Sequence, residues 1–509
     1  MKAITALALA ITCGLAAGAQ ARGQDTASDT GALPAAQTAA IDAIGRRSID
    51  LRMAPSVEIA VLRDGAFVYR KGFGVRNIED AVEPDDRTRY PIGSNTKQFT
   101  AASILMLQDQ GKLRVDAPLS AYLPEIPHAH QVTLRNLLMH TGGYAEFTAR
   151  EDFDEVGARP ATPAQVVAAA VRQPLVFTPG TKRQYSNTGY MLLQMVIERI
   201  SGQRYADFVR SHIFAPLGMT STFSRVGDDT SADVATEYES YALGPWEHAL
   251  HIEYSWFGGA GSIISNPDDL AKWNAALDGG KLLSARSQRE MMTPVKVDAN
   301  FPDYGFAIQV TKLPNGHRMI YHGGNTTGAA TQDARFPDDH LQIIVLANSG
   351  TYDYTEAVNA IYAVLVPSAK APPGHKPPAR KTPPAAAAKL GVSAAAQAEA
   401  IGWLDRAVRG SIDDATLRRD FRAWLSPAHR AALRALAALG PRHYTLVGVD
   451  RRAPATSYEY LVKTSTAELV YVYARDDDGS IAVADVIRHV TFAPAAKATP
   501  PPAASTPAP

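Results

Sequence analysis

Apolar and polar residues alternate with two different periods along this chain. Short alternating runs at 57–62 and 67–69, joined through Arg63-Asp64-Gly65, predict a β-hairpin. Upstream, Ile41, Ile44, Ile49 and Leu51 are spaced among charges and predict a surface helix over 37–52. Phe99, Ala102, Leu105 and Met106 recur at helical spacing after Ser94, and Pro91 holds Tyr90 extended. A short helix over 132–139 is expected to stop at Gly142-Gly143. Thr162-Pro163 and Asn266-Pro267-Asp268-Asp269 carry helix-start signals. Tyr190, Leu193, Val196, Ile197 and Ile200 mark a helix over 187–200. Strands are expected at 304–310, 319–321, 329–336 and 341–347, then a helix at 357–366. Strands thus come early and late around a helical middle. That order predicts an α+β fold: one antiparallel sheet built from both ends of the region, flanked by helices, with a helical insertion beside it.

The composition then divides the chain. At Pro367 it breaks into paired prolines with Lys and Ala between, a semi-rigid linker over 367–390. Helices at 394–408, 415–424 and 427–439, followed by strands at 444–449, 458–463, 468–473 and 481–487, predict a small accessory α+β domain over 391–493. The tail 494–509 is Pro/Ala/Thr low complexity and reads as disordered. Asp477-Asp478-Gly479 reads as a hairpin turn, because it lacks the alternating ligands and distant glutamate of a calcium loop.

Residues 1–21 have the pattern of a secretory signal: Lys2, an apolar run over 3–17, and Ala19-Gln20-Ala21 as a cleavage site. The run is too short for a good membrane span. Residues 22–36 are small and polar and read as a disordered leader, so the main domain is expected over 37–366. Cleavage would remove Cys13, the only cysteine, leaving no disulfide, thiol chemistry or cysteine metal site. Lipid attachment at Cys13 is the weaker alternative. The expected location is outside the cytoplasm, in a periplasm, with no transmembrane segment in the mature chain. Acidic and basic residues balance at 51 each, which removes any electrostatic case for nucleic acid or an anionic membrane. The sequence carries no signal for oligomeric state.

Three short motifs carry candidate chemistry. Ser94 is the only serine with a lysine three residues on, Lys97. On a helix the two side chains are neighbours, in the first turn where unpaired N–H groups gather. A serine hydroxyl needs a base, and a desolvated lysine can be one. Tyr185-Ser186-Asn187 precedes a helix; a phenol can carry a proton and an amide can orient both a substrate and the lysine. Tyr321-His322-Gly323-Gly324-Asn325 ends a strand, where glycines let a substrate backbone lie along the edge. Taken singly, these are an N-cap serine, an N-cap asparagine with a packing tyrosine, and a glycine turn. His140-Thr141-Gly142 competes for the third motif, but it follows a helix and lies between the first two. His322 is therefore preferred, with His140 as a wall or packing residue.

In that order, Ser94-x-x-Lys97, Tyr185-x-Asn187 and His322-x-Gly324 resemble the penicillin-recognising serine hydrolases, nearest to class C β-lactamases, D-alanyl-D-alanine carboxypeptidases, D-amino-acid peptidases and related esterases. Gly72-Phe73-Gly74, the run Leu137 to Gly143, Pro216-Leu217-Gly218-Met219 and Gly258-Gly259-Ala260-Gly261-Ser262 match as well. The resemblance implies a β-lactamase/transpeptidase-like fold with Ser94 as acylated nucleophile, Lys97 as activating amine and Tyr185 as proton shuttle. It implies that Asn187 contacts substrate and Lys97, that His322, Gly323 and Gly324 line the site, and that the N–H groups of Ser94 and Asn325 form an oxyanion hole. The implied partner is a small-molecule or peptide acyl substrate: an ester, a D-amino-acid amide or peptide, or a β-lactam. A sensor that binds penicillin or peptidoglycan fragments with little turnover is the alternative. No metal or organic cofactor is implied. One departure stands out: class C β-lactamases usually carry a lysine where His322 sits, which favours the esterase and peptidase branches.

Overall fold

Alternate residues of the Leu341–Ala347 strand enter different cores. Ile343, Val345 and Ala347 belong to one buried cluster, and Ile344 and Leu346 to another. Both faces are covered, which accounts for the unbroken apolar run from Ile343 to Ala347. In this computed structural model, which describes residues 31–150, 152–226, 233–295, 303–367, 392–450 and 455–489, the strand lies within a seven-stranded antiparallel sheet. The spatial order is Ala66–Gly74, Ser56–Arg63, Leu341–Ala347, Ala330–Phe336, Arg318–Asn325, Gln309–Lys312, Asp303–Tyr304. The early hairpin joins the late strands through the pairing of Val57 with Ala347. Its turn uses Asp64 and Gly65, both left-handed (φ 50° and 79°), as a tight two-residue hairpin requires. Helices Ala35–Asp50 and Tyr354–Leu365 cover one face through Ile41, Ile44, Val358 and Ile361. The other face meets the helical middle, including Thr96–Asp109, Asn187–Ser201 and Pro267–Asp278. The fold is thus the α+β sheet with flanking helices expected from the order of elements.

Four local differences from the sequence reading have physical causes. Leu33 is buried, its N–H reaches Val68 O at 3.4 Å, and the first helix begins at Ala35, so residues 33–36 do not belong to a disordered leader. The strand expected at 304–310 is two strands, because Gly305 N–H turns back to Ile308 O (2.9 Å) and Ala307 is left-handed (φ 60°). The strand expected at 319–321 runs on to Asn325, since Gly323 and Gly324 pair with Gln332 and Thr331 of the next strand. The helix before Gly142 ends earlier, at Leu138, and its left-handed stop is His140 (φ 59°).

Beyond the sheet, helices Ala394–Val408, Arg419–Trp424 and Pro427–Ala435 pack on an antiparallel four-stranded meander from His443–Asp450 to Ile481–His489. Asp477-Asp478-Gly479 forms its last turn. This core, around Trp403, Leu433 and Tyr471, also takes in Tyr241 and Ala242 from the preceding region. The proposed signal segment, most of the linker and the tail lie outside the described residues. Among the described residues, no helix is long and apolar enough to cross a membrane, and no three metal-ligating side chains converge.

Candidate active site

Ser94 occupies the middle of a single 3-10 turn, Gly93–Asn95, which leads directly into the helix Thr96–Asp109. From Tyr90 to Leu105 every residue except Ser94 is buried. The turn is pressed against the strand Arg318–Asn325. A Cβ on Gly93 would stand 2.8 Å from Asn325 N, and Gly93 is left-handed (φ 48°). A Cβ on Gly324 would run into the Ile92 carbonyl oxygen and lie 2.9 Å from Ser94 N. Glycine at both positions therefore allows the backbones of Ser94 and Asn325 to approach each other. The Asn325 side chain is turned away: its amide donates to Gly350 O (2.9 Å) and its carbonyl accepts from Tyr354 (2.9 Å).

Lys97 is fully buried and its Nζ has three neighbours: Ser94 Oγ at 3.1 Å, Asn187 Oδ1 at 2.8 Å and Ala260 O at 2.7 Å. Asn187 is free for this contact because Ser186 caps the helix instead, accepting from Gly189 N at 3.0 Å. Ala260 arrives through the turn Gly258–Gly261, held by Gly259 N–H on Gln194 Oε1 (2.7 Å) and by the Thr100 hydroxyl on Gly259 O (2.6 Å). Burial pushes the Lys97 ammonium down to about 7, against a smaller opposing pull from the Glu146 carboxylate. Asn187 Oδ1 and Ala260 O are acceptors only. In the neutral amine they take both N–H bonds, so the lone pair faces Ser94 Oγ.

Tyr185 is clamped from both sides by His140. Gln184 N–H donates to His140 O (3.0 Å), Ser186 N–H donates to His140 Nδ1 (3.1 Å), and the two rings lie 4.3 Å apart. The Tyr185 hydroxyl shares a hydrogen bond with Ser94, and burial of that hydroxyl, with Tyr304 close by, holds it well above the usual phenol range. Tyr185 is thus a neutral phenol, while 36% of its surface stays open. The Ser186 contact fixes the rest of a chain of hydrogen bonds. His140 Nδ1 accepts, so Nε2–H donates to Tyr304 (3.0 Å). Tyr304 O–H then donates to His322 Nε2 (3.1 Å), and His322 Nδ1–H donates to Gly323 O (2.6 Å). Both imidazoles are neutral here; burial, aided by the Lys97 charge, drives His322 to about 3 and His140 well below the ordinary histidine value.

The structure thus brings Ser94, Lys97, Tyr185 and Asn187 into one cluster beside Gly324 and the Asn325 backbone. His322 stands behind it, with both ring nitrogens committed and 2% of its surface exposed. Gly323 faces away, since a Cβ there would meet the Tyr354 hydroxyl at 2.5 Å. Three participants have no counterpart in the sequence reading. Tyr304 links His140 and His322. Arg183 lies 4.3 Å above the Tyr304 ring. Glu146 accepts from Asn187 N–H (2.6 Å), and burial raises its carboxyl while that bond and Lys97 pull it back. Glu146 alone carried a usable signal, a lone acid three residues after the Thr141-Gly142-Gly143 turn.

Comparison with known proteins gives the family. The family model described as Beta-lactamase matches residues 46–368. A penicillin-binding protein of Bacillus subtilis is 29% identical over 302 residues, covering 56% of this chain and 66% of its own length. The chain therefore spans just under two thirds of that relative. A D-stereospecific amidohydrolase from Streptomyces sp. superposes with a TM-score of 0.56 at 28% identity, over 64% of this chain and 98% of that one. A penicillin binding protein from Bacillus halodurans gives 0.57 at 25% identity, over 63% and 98%. On the family match, which covers well over half of its residues, the chain belongs to the Beta-lactamase family.

Proposed function

We propose that the protein is a serine hydrolase that works through a covalent ester on Ser94, with an ester or a D-amino-acid amide or peptide as substrate. The observation that carries this reading is the Lys97 amine, near neutrality, with two acceptors on its N–H bonds and its lone pair on Ser94 Oγ. Lys97 takes the Ser94 proton as Oγ bonds to the acyl carbon. The oxyanion forms between the N–H groups of Ser94 and Asn325. As the bond to the leaving group breaks, the Tyr185 phenol gives its proton to the leaving group and takes one back from the Lys97 ammonium, so both return to their neutral forms and the leaving group carries off the equivalent of the proton Ser94 lost. Water then attacks the Ser94 ester by the reverse route and restores the serine hydroxyl.

Lys97 rather than Tyr185 is the base, because the phenol is held far above neutrality and the amine near 7. His322, neutral and with both nitrogens engaged, offers no fixed charge to a substrate carboxylate. This supports ranking β-lactams behind esters and D-amino-acid amides as substrates. The name of the Streptomyces relative, a D-stereospecific amidohydrolase, supports the amide class.

The pH profile tests the base. Acylation needs the neutral amine, so kcat/KM for p-nitrophenyl acetate is expected to fall as pH drops through about 7 and to level off above it. A single acid limb near the ordinary carboxylate range would remove Lys97 from that role.

A further inference from the structure

Beside the strand end at Asn325 lies an open cleft of about 970 Å³. Thr326 and Thr327, which follow Asn325, form one wall, and Phe257, which precedes the Gly258–Gly261 turn under Lys97, forms another. Ser94, Lys97, Tyr185 and Asn187 do not themselves line it; the cleft adjoins them through Thr326, next to Asn325, and Phe257, next to the Gly258–Gly261 turn. Its far wall is residues 248–255. These are tied to the strand end through Thr327, which donates to Leu250 O (2.9 Å), and through Glu237, which accepts from Tyr254 (2.7 Å) and Thr326 (2.5 Å).

That wall is the base of a hairpin whose tip lies elsewhere. Tyr238–Glu239 pairs with Glu247–His248, and the connection between them reaches the C-terminal core. Tyr241 is 6% exposed there; its hydroxyl donates to Ala484 O (2.5 Å) and its ring meets Trp424 edge-on at 4.7 Å. Ala242 N–H reaches Asp485 Oδ1 (3.4 Å), and Glu247 pairs with His429 (3.3 Å). Ala242 and Leu243 are both left-handed (φ 48° and 63°), a conformation that non-glycine residues hold only when their surroundings enforce it.

We propose that the C-terminal unit, from residue 392 onward, is a brace for the substrate cleft: it grips the hairpin tip at Tyr241 and so fixes the wall at 248–255 that receives the acyl part of the substrate. The ligand class is an extended peptidyl acyl group, since the cleft is far larger than one amino-acid side chain requires. This inference rests on the hydrolase reading for its substrate, but the brace itself has an independent readout.

The test compares full-length wild type with Tyr241→Ala and Tyr241→Phe on two substrates, p-nitrophenyl acetate and the p-nitroanilide of an N-blocked tri-D-peptide. Hydrogen exchange of 248–255 is measured on the same samples. The brace predicts that Tyr241→Ala raises KM for the peptide substrate about tenfold and speeds exchange at 248–255, with acetate turnover within about twofold of wild type. Tyr241→Phe, which keeps the ring, is expected to fall between. Unchanged exchange together with an unchanged substrate ratio overturns the proposal, and so does an equal loss on both substrates. If wild type turns over neither substrate, the hydrolase reading fails, and the exchange result still decides the brace.

Discussion

A Lys97→Met variant is expected to lose about a thousandfold or more in kcat/KM, and its stability relative to wild type is expected to be higher at pH 6 than at pH 9. The loss follows from removing the amine hydrogen-bonded to Ser94 Oγ. The gain follows from linkage. The ordinary value for the ammonium is 10.5, and burial holds it at about 7 in the folded protein. Below about 7 both states carry the charge, and the folded state bears the full cost of burying it, about 3–5 kcal/mol at roughly 1.4 kcal/mol per tenfold. Between 7 and 10.5 the unfolded chain binds a proton that the folded one does not, so wild-type stability rises with pH across that window. Methionine does not titrate, so its advantage is greatest below pH 7 and shrinks toward 10.5. The variant leaves Asn187 Oδ1 and Ala260 O without a donor, at about 1–3 kcal/mol for each if unrelieved, a cost of the same size as the gain that does not change with pH, so the difference between low and high pH carries the prediction. Thermal unfolding at pH 6 and pH 9 checks the sign. A variant less stable than wild type at pH 6 and equal to it at pH 9 would contradict a buried, depressed amine.

Gly324→Ala is expected to cost about a hundredfold to a thousandfold in kcat, the range seen when one oxyanion donor is lost. The added Cβ meets the Ile92 carbonyl, which is backbone and cannot swing aside, and it presses on Ser94 N. The strand must retreat from the serine turn, and the two N–H groups separate. Gly323→Ala is the control. Its Cβ meets the outer end of the Tyr354 ring (Oη at 2.5 Å, Cζ at 2.8 Å, Cε2 at 2.9 Å) and no backbone, so a shift of that side chain relieves it and its effect is expected to be smaller. Steady-state kinetics on both variants, with circular dichroism to confirm folding, separates the two. Equal rates for the two variants would remove the close approach at Gly324 from the account.

The contrast between these glycines also shows what could be read from the chain alone. Spacing placed Ser94 and Lys97 on one helical face, and the glycine pair after His322 read as room for a substrate backbone along the strand edge, not as the approach to the serine turn that Gly324 makes. Which glycine faces the serine depends on the pleat: Gly324 points to the Ile92 turn and Gly323 to Tyr354. Pleat register became readable only once the strand was seen to continue through Asn325. Asn187 had two local readings, cap or ligand, and the choice was made by Ser186 taking the cap. The relay from His140 through Tyr304 to His322 could not be read at all, because it joins side chains 164 and 18 positions apart. Nor could the charge state of His322, which depends on burial and on the direction of the Tyr304 hydrogen bond. That one antiparallel sheet draws its strands from both ends of the region was legible, because short strand-like runs lie early and late around a helical middle; the order of the strands was not. The break at 305–308 was not, because it rests on a left-handed alanine.

The central claim is that Ser94 is an activated nucleophile. Its most direct test is the intact mass of the folded protein after exposure to a fluorophosphonate and, separately, to a penicillin, with Ser94→Ala beside it. The account predicts one fluorophosphonate adduct per chain, absent from Ser94→Ala, and a penicillin adduct that is absent or slow to form. A penicillin adduct that forms and persists would move the chain toward slow turnover, as the names of its penicillin-binding relatives suggest. No adduct on folded protein, or one that survives in Ser94→Ala, would contradict it.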